Sequence, residues 1–326
     1  MAVAGTRARS YLSRLAKRAR AASALLPSDR IEAHASLVLS YRAAGGGFAG
    51  RGGDGDLYYS DFAIRALHAL DRLEAGVAAE VGAFARAFRP RTIVDALNRL
   101  SIAMLAGQSA ACDGALLRIV ERHRNRDGGY GKTPESGAGS TYHTFLAVAC
   151  YDLAGALPPE PRAIGRFLRS RLKDDGGFGE TERARRGGVN PTAAAVATGL
   201  ILGMRSRRVA RRVAAFLADM QEDAGGWRAT HASPCADVMS TYTALATLDA
   251  LGALSDAAAG GARAFCEACE HLDGGFRAVP FEDVRDVEYT FYGLGAKALL
   301  GERARDSTGA LPGSRTRARD DRVLHD

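Results

Sequence analysis

The sequence predicts an all-α fold assembled from one helical hairpin repeated along the chain, and three observations carry that prediction. First, a double glycine followed by an aromatic recurs as Gly128-Gly129-Tyr130, Gly176-Gly177-Phe178, Gly225-Gly226-Trp227 and Gly274-Gly275-Phe276, the second glycines lying 48, 49 and 49 residues apart. Second, each copy keeps one downstream register. Eleven residues after the second glycine stand Ser140, Gly188, Asp237 and Asp286; four residues later comes Thr144, Thr192, Thr241 or Thr290; fifteen residues after the fixed position comes Gly155, Gly203, Gly252 or Gly301. Third, strand-like alternation is scarce, while a hydrophobic content of 47% is enough to bury a large helical core.

Taken in chain order, the elements start with a degenerate copy, Gly46-Gly47-Phe48 followed by Asp56 and Ser60, with Asp71 where the closing glycine would stand. The run from Thr92 to Gly107 keeps the helix and its closing glycine but has lost the double glycine. Four full copies follow. "DVMSTYTALATLDALG" (237–252) is apolar or small nearly all round, which suits a helix buried on both sides, and its last glycine fits the position that ends a helix. "SRRVARRVAAFLADMQ" (206–221) and "PRAIGRFLRSRL" (161–172) are amphipathic and charged, as half-exposed outer helices should be. The double glycines then shape the turn from each outer helix into the next inner one, where positive φ or close packing excludes a side chain. Periodicity of this kind fits an open solenoid and a closed ring equally well.

The net charge of +7 is unevenly spread. Residues 1–29 form a basic segment in which Arg7, Arg9, Arg14, Lys17, Arg18 and Arg20 outnumber a single acid, Asp29, and it reads as an exposed basic helix. Residues 302–326 read as a disordered tail, which leaves 30–301 as a nearly neutral repeat domain and argues against a nucleic-acid groove. No apolar run approaches the length of a membrane span. Five scattered cysteines suit a reducing compartment, so the expectation is a cytoplasmic protein, and the lone Cys266/Cys269 pair reads as core packing rather than chemistry.

The unit DGGF…D…T(Y/F)xxLxxLxxLG resembles the repeat of protein prenyltransferase β-subunits and, more distantly, that of squalene and hopene cyclases, over about residues 30–301. The resemblance implies an α/α toroid of six inner and six outer helices around an apolar cavity that holds an isoprenoid chain. It also implies a zinc ion at the mouth that activates an acceptor thiolate, an isoprenyl diphosphate or other apolar ligand, and a possible helical-repeat partner subunit. Of the family's three zinc-ligand positions only Asp237 keeps its residue type; the other two hold Met239 and Tyr289. Neither is a usual zinc ligand beside a carboxylate, so no metal site is expected, apart from a displaced rim arrangement of Cys235, Asp237 and Asp286. The plainer role for Asp237 is an N-cap, as for Asp56, Thr92, Ser140 and Asp286 at the same register, which explains it without metal.

The candidate catalytic residues are therefore Asp237 and Tyr289. The candidate substrate-binding residues are Arg185, Arg186, Arg228, His231 and Arg277 at the mouth, with Tyr242 and Tyr292 facing the cavity. Inner-helix N-termini would add positive potential for an anion. Cyclases that begin by protonating an alkene use a DxDD motif, which is missing here, and they are usually about twice this length. Two functions follow: transfer of an isoprenyl group from its diphosphate to a protein or small-molecule acceptor, or a non-catalytic isoprenoid, lipid or peptide binding module that has lost its zinc site.

Overall fold

The computed structural model describes residues 10–108 and 114–307. After α1 (Tyr11–Ala19) and a 3-10 turn (Arg20–Ala24) come α2 (Ser28–Ser40), α3 (Leu57–Ala69), α4 (Ala75–Ala87), α5 (Ile93–Leu105), α6 (Gly114–Glu121) and α7 (Thr141–Leu153). There follow α8 (Pro161–Arg171), α9 (Val189–Ile201), α10 (Arg207–Asp219), α11 (Val238–Ala250), α12 (Asp256–Cys269) and α13 (Val287–Ser307). From α3 onward the odd-numbered helices are inner and the even-numbered ones outer. Consecutive inner helices pack side by side, and α13 returns to pack on α3. The repeat thus closes into an α/α toroid whose six inner helices run parallel, with their N-termini at one end.

The conserved register of the repeat has a direct physical cause. The hydroxyl at the threonine position accepts the backbone N–H of the aromatic that follows the double glycine: Ser60 from Phe48 (2.8 Å), Thr144 from Tyr130 (2.9 Å), Thr192 from Phe178 (2.8 Å), Thr241 from Trp227 (3.0 Å) and Thr290 from Phe276 (3.3 Å). The aromatic rings are buried, so each loop is held to its own inner helix by one apolar anchor and one buried hydrogen bond. Asp56, Thr92, Ser140, Asp237 and Asp286 cap their helices through side-chain acceptors. Gly188 has no side chain to do so, and the residue three positions on, Pro191, has no N–H to be capped. The first N–H of this helix, on Val189, goes to the Ala229 carbonyl of the next loop (2.8 Å), as Thr141 N–H goes to Glu180 and Val238 N–H to Ala278 in the capped repeats.

The double glycines are structural. Gly225 sits at φ +93°, and a Cβ there would run into the backbone of Gly261 on α12. Gly225→Ala combines left-handed strain with a clash against backbone, and we expect it to destabilise by about 2 kcal/mol or more in denaturant titration. An unchanged midpoint would remove this account of the repeat. The closing glycines Gly107, Gly155, Gly203 and Gly252 all lie at φ between 64° and 70°, and Asp71, their degenerate counterpart, adopts the same conformation at φ 57°. Gly301 differs: it lies inside α13, where any Cβ would meet the Leu25 side chain.

Two expectations change. The basic N-terminal segment does not stand free, since α1 lies across the C-terminal ends of the inner helices. Tyr11 N–H donates to Asp152 (2.6 Å), and Arg18 pairs with Asp249 (2.5 Å) and Glu302 (2.8 Å). Acids and helix C-termini at that end attract the cations, while Leu12 and Leu15 turn inward. Of the expected tail, residues 302–307 continue α13, and 308–326 lie outside the described residues. Cys266 and Cys269 are buried in α12 with burial raising both thiols to about 12, consistent with packing.

The seam where the ring closes is held by charge. Glu270, at the end of α12, accepts from Arg30 (2.7 Å) and His34 Nε2 (3.1 Å) of α2, and also pairs with Lys297 of α13. His34 Nδ1 accepts Gly275 N–H at 2.7 Å, which places the ring proton on Nε2, pointing at Glu270.

Candidate functional site

Shared register defines the chamber wall. Two residues past each cap stand Tyr58, Val94, Tyr142, Asn190, Met239 and Glu288, forming the mouth layer at the inner-helix N-termini. Five and six residues past the cap, α3 contributes Asp61 and Phe62, α11 Tyr242 and Thr243, and α13 Phe291 and Tyr292. One turn deeper are Arg65, Ser101, Ala149, Ala197, Ala246 and Gly295. Helical spacing puts these layers on one face of each helix. Tyr142 is 42% exposed although Glu288, Glu180 and Arg65 all act on it, as expected of a side chain facing an enclosed space.

The two sides of the chamber differ. On the α11–α13–α3 side the rings interlock: Phe62 with Phe291 (5.6 Å) and Tyr292 (5.4 Å), and Tyr242 with Phe291 (5.8 Å) and Tyr292 (5.5 Å). The α7–α9 side carries Tyr142 and Phe145 on α7 but alanines at its other inward positions, Ala149, Ala193 and Ala197, and so holds fewer rings. The floor is α1, whose Tyr11 packs edge-on against Phe145 at 6.4 Å.

Asp61 is the group in this chamber that the sequence reading passed over. It is 2% exposed, and burial raises its carboxyl to about 6 against the opposing pull of Arg65 and a hydrogen bond from Ser101. Arg65 lies 3.5 Å from Oδ2 and stacks on the Phe291 ring at 3.9 Å, so its position is fixed by packing. Among the described residues, Asp61 Oδ1 and Asn98 Nδ2, on neighbouring inner helices, have no hydrogen-bond partner. Buried polar atoms are nearly always paired, and of the few unpartnered ones among the described residues these two stand at inward positions of the wall. At the mouth, Tyr58 donates to Glu288 (2.7 Å), whose carboxyl is raised by burial and by Asp286.

The residues singled out from the sequence are placed as follows. Both Asp237 oxygens serve the first turn of α11, accepting Ser240 N–H and Ser240 Oγ–H at 2.7 Å. Tyr289 is half-buried, its hydroxyl raised to about 12 by burial and the Glu288 and Asp286 charges. Tyr242 and Tyr292 belong to the chamber's aromatic cluster. Arg277 donates to the Ala268 carbonyl (2.9 Å), Arg228 lies 3.4 Å from Glu222, and His231 sits beside Phe216. Arg185 and Arg186 are exposed on a loop. The arginines therefore sit on separate repeat loops, two of them turned back toward their own outer helices. The zinc implied by the resemblance does not fit this donor set. Asp237 is committed to its cap, Met239 and Tyr289 occupy the partner positions, and no described residues, Cys235 and Asp286 included, form a group of three metal donors.

Comparison with known proteins gives a consistent picture of the fold. The family model described as the prenyltransferase alpha-alpha toroid domain matches residues 96–172 and 159–316. No curated protein matches by sequence. Among solved structures, Candida albicans protein geranylgeranyltransferase-I complexed with GGPP is 12% identical with a TM-score of 0.63, over 91% of this chain and 93% of that one. A variant of the type II terpene cyclase MstE from Scytonema in complex with merosterolic acid A is 14% identical with a TM-score of 0.60, over 90% and 99%. A protein from Actinoplanes is 14% identical with a TM-score of 0.56, over 90% and 99%. The coverage of the Scytonema chain corrects the length argument against cyclases, because that cyclase is spanned almost whole.

Proposed function

Because the chain belongs to the prenyltransferase α/α toroid family, we propose that its chamber takes a neutral isoprenoid chain and that Asp61 is the acid that starts its cyclisation. The observation that supports this best is a buried carboxyl raised to about 6 on the inward face, with one oxygen unpartnered, beside a wall of aromatic rings. Protonated Asp61 gives its hydrogen to an alkene carbon. The alkene π pair forms the new C–H bond, leaving a tertiary carbocation that the next alkene attacks to close a ring. Loss of a proton from carbon to water ends the sequence and Asp61 regains its proton from solvent, so the product is an isomer of the substrate. The aromatic cluster, in which Arg65 already stacks on Phe291, leaves Tyr242 and Tyr292 as the rings that would face a cation. Arg65 keeps Asp61 from becoming too weak an acid, since it opposes the effect of burial.

Prenyl transfer from a diphosphate draws less from this arrangement, for the mouth carries Glu180 and Glu288 and the expected arginines are dispersed. Binding without turnover is the second reading, favoured by the 3.5 Å approach of Arg65 to Asp61, which resists protonation. Incubating the protein with geranylgeraniol, an aromatic geranylgeranyl ether, or geranylgeranyl diphosphate separates the three. Cyclised isomers of a neutral substrate support the proposal. Retention of the neutral chain unchanged supports the binding reading, and consumption of the diphosphate alone supports prenyl transfer.

A further inference from the structure

On the outside of the ring, α8, α9, α10 and α11 surround an apolar cleft of about 490 Å³, floored by Leu168, Phe178, Ala195, Val196, Leu200 and Val209. That is the size of a small-molecule site, yet it lies on the wall opposite the chamber. Its surroundings are strongly basic. Arg162, Arg166 and Arg169 follow the spacing of one exposed face of α8. Arg205, Arg207, Arg208 and Arg211 are exposed at the start of α10, and Arg169, Arg205 and Arg207 line the cleft itself. Neither 161–172 nor 202–218 contains an acidic residue, and no ion pair joins these arginines to a carboxylate among the described residues.

Exposed apolar side chains accompany the charge. Leu157 is 67% exposed in the loop before α8, and Met204 is 37% exposed in the loop before α10. Both loops sit at the C-terminal end of the inner helices, the end across which α1 lies with Lys17 exposed. Apolar tips, a cluster of unpaired arginines and an apolar cleft together match the leaflet of an anionic bilayer: guanidinium groups take phosphates in bidentate fashion, loop tips enter the interface, and a cleft of this size takes part of an acyl chain.

We propose that this end of the toroid, over the first and second full repeats, docks on anionic phospholipid membranes, with phosphates held by the α8 and α10 arginines and an acyl chain in the cleft. No helix among the described residues is long and apolar enough to cross a membrane, so the contact is peripheral. Seated this way, the chamber mouth faces away from the bilayer.

Co-sedimentation with vesicles tests it. The full chain should bind vesicles of phosphatidylglycerol mixed with phosphatidylcholine, weaken as salt rises, and bind phosphatidylcholine vesicles poorly. Arg205→Glu, Arg207→Glu and Arg208→Glu together should weaken binding at least about 100-fold, since each interfacial arginine contributes roughly fivefold. Ala250→Trp, which fills the cleft from an exposed position, should weaken it about fivefold with every arginine in place. Unchanged thermal midpoints confirm folded variants. Equal binding to neutral vesicles, no binding at low salt, or indifference to the charge reversal each overturns the proposal, and wild-type binding by Ala250→Trp removes the acyl chain from it. Turnover of prenyl substrates is a separate measurement, so membrane docking and the Asp61 chemistry stand or fall independently.

Discussion

Asp61→Asn is expected to lower conversion of a neutral prenyl substrate by at least about a hundredfold, while its affinity for that substrate changes only a few fold. Asparagine keeps the shape and the hydrogen bond from Ser101 but has no acidic proton, and a positioned general acid contributes roughly 10²–10⁴-fold. The same residue sets the pH profile. Burial raises its carboxyl from an ordinary 3.8 to about 6, so the proton-donating form is full below about pH 5 and is lost as pH rises through 6. Activity of the free enzyme should fall along that limb. Asp237→Asn is the control, because asparagine caps a helix nearly as well as aspartate and the residue does not face the chamber. Product formation by Asp61→Asn at near wild-type rates, or a flat profile from pH 5 to 8, would refute the role.

The sequence made the fold legible because several independent constraints repeat at one period. Each threonine position is a buried hydroxyl clamping a loop, each fixed polar position is a cap, and each closing glycine but the last adopts positive φ. Closure was not legible in periodicity. It depends on the small rotation between units and on the seam of Arg30, His34, Glu270 and Lys297, whose residues are 240 positions apart between Arg30 and Glu270. Nor was the docking of α1, since a basic segment carries no sign that its partners are Asp152, Asp249 and Glu302 on distant helix ends.

The candidate site was half legible. Tyr242 and Tyr292 could be read as inward because they stand in full copies of the repeat. Asp61 stands in the degenerate copy, and its signal was a carboxylate on a helix where the other copies are apolar. A charge on a fully buried inner helix needs a functional or paired explanation, and that alone could have flagged "YYSDFAIR" (58–65). The arginine face was hidden by averaging: the repeat domain is nearly neutral as a whole, but its cations concentrate over 161–172 and 202–218, which hold no acid.

The largest effect on stability should come from the seam. Glu270→Ala leaves Arg30, Lys297 and the Nε2 proton of His34 facing one another in a site where Glu270 is only 10% exposed, and His34 is fully buried. Removing one member of such a group typically costs about 3–5 kcal/mol, because the remaining charges keep their desolvation and lose their partner. The pH dependence agrees in size. Although burial alone would raise the Glu270 carboxyl, its hydrogen bonds from His34, Lys297 and Arg30 bring it from an ordinary 4.5 down to about 2. Folding therefore favours the ionised form. This contribution, about 3 kcal/mol, is complete above pH 4.5 and is withdrawn as pH falls toward 2. In urea titrations at neutral pH, Glu270→Ala should lie about 3 kcal/mol or more below wild type, and the gap should narrow between pH 4.5 and 2. Glu80→Ala, which breaks a pair with Arg42 whose side chains are both 43% exposed, should cost under about 1 kcal/mol. A Glu270→Ala protein as stable as Glu80→Ala, with an unaltered acid limb, would mean that packing of α13 on α3 closes the ring without help from the buried charges.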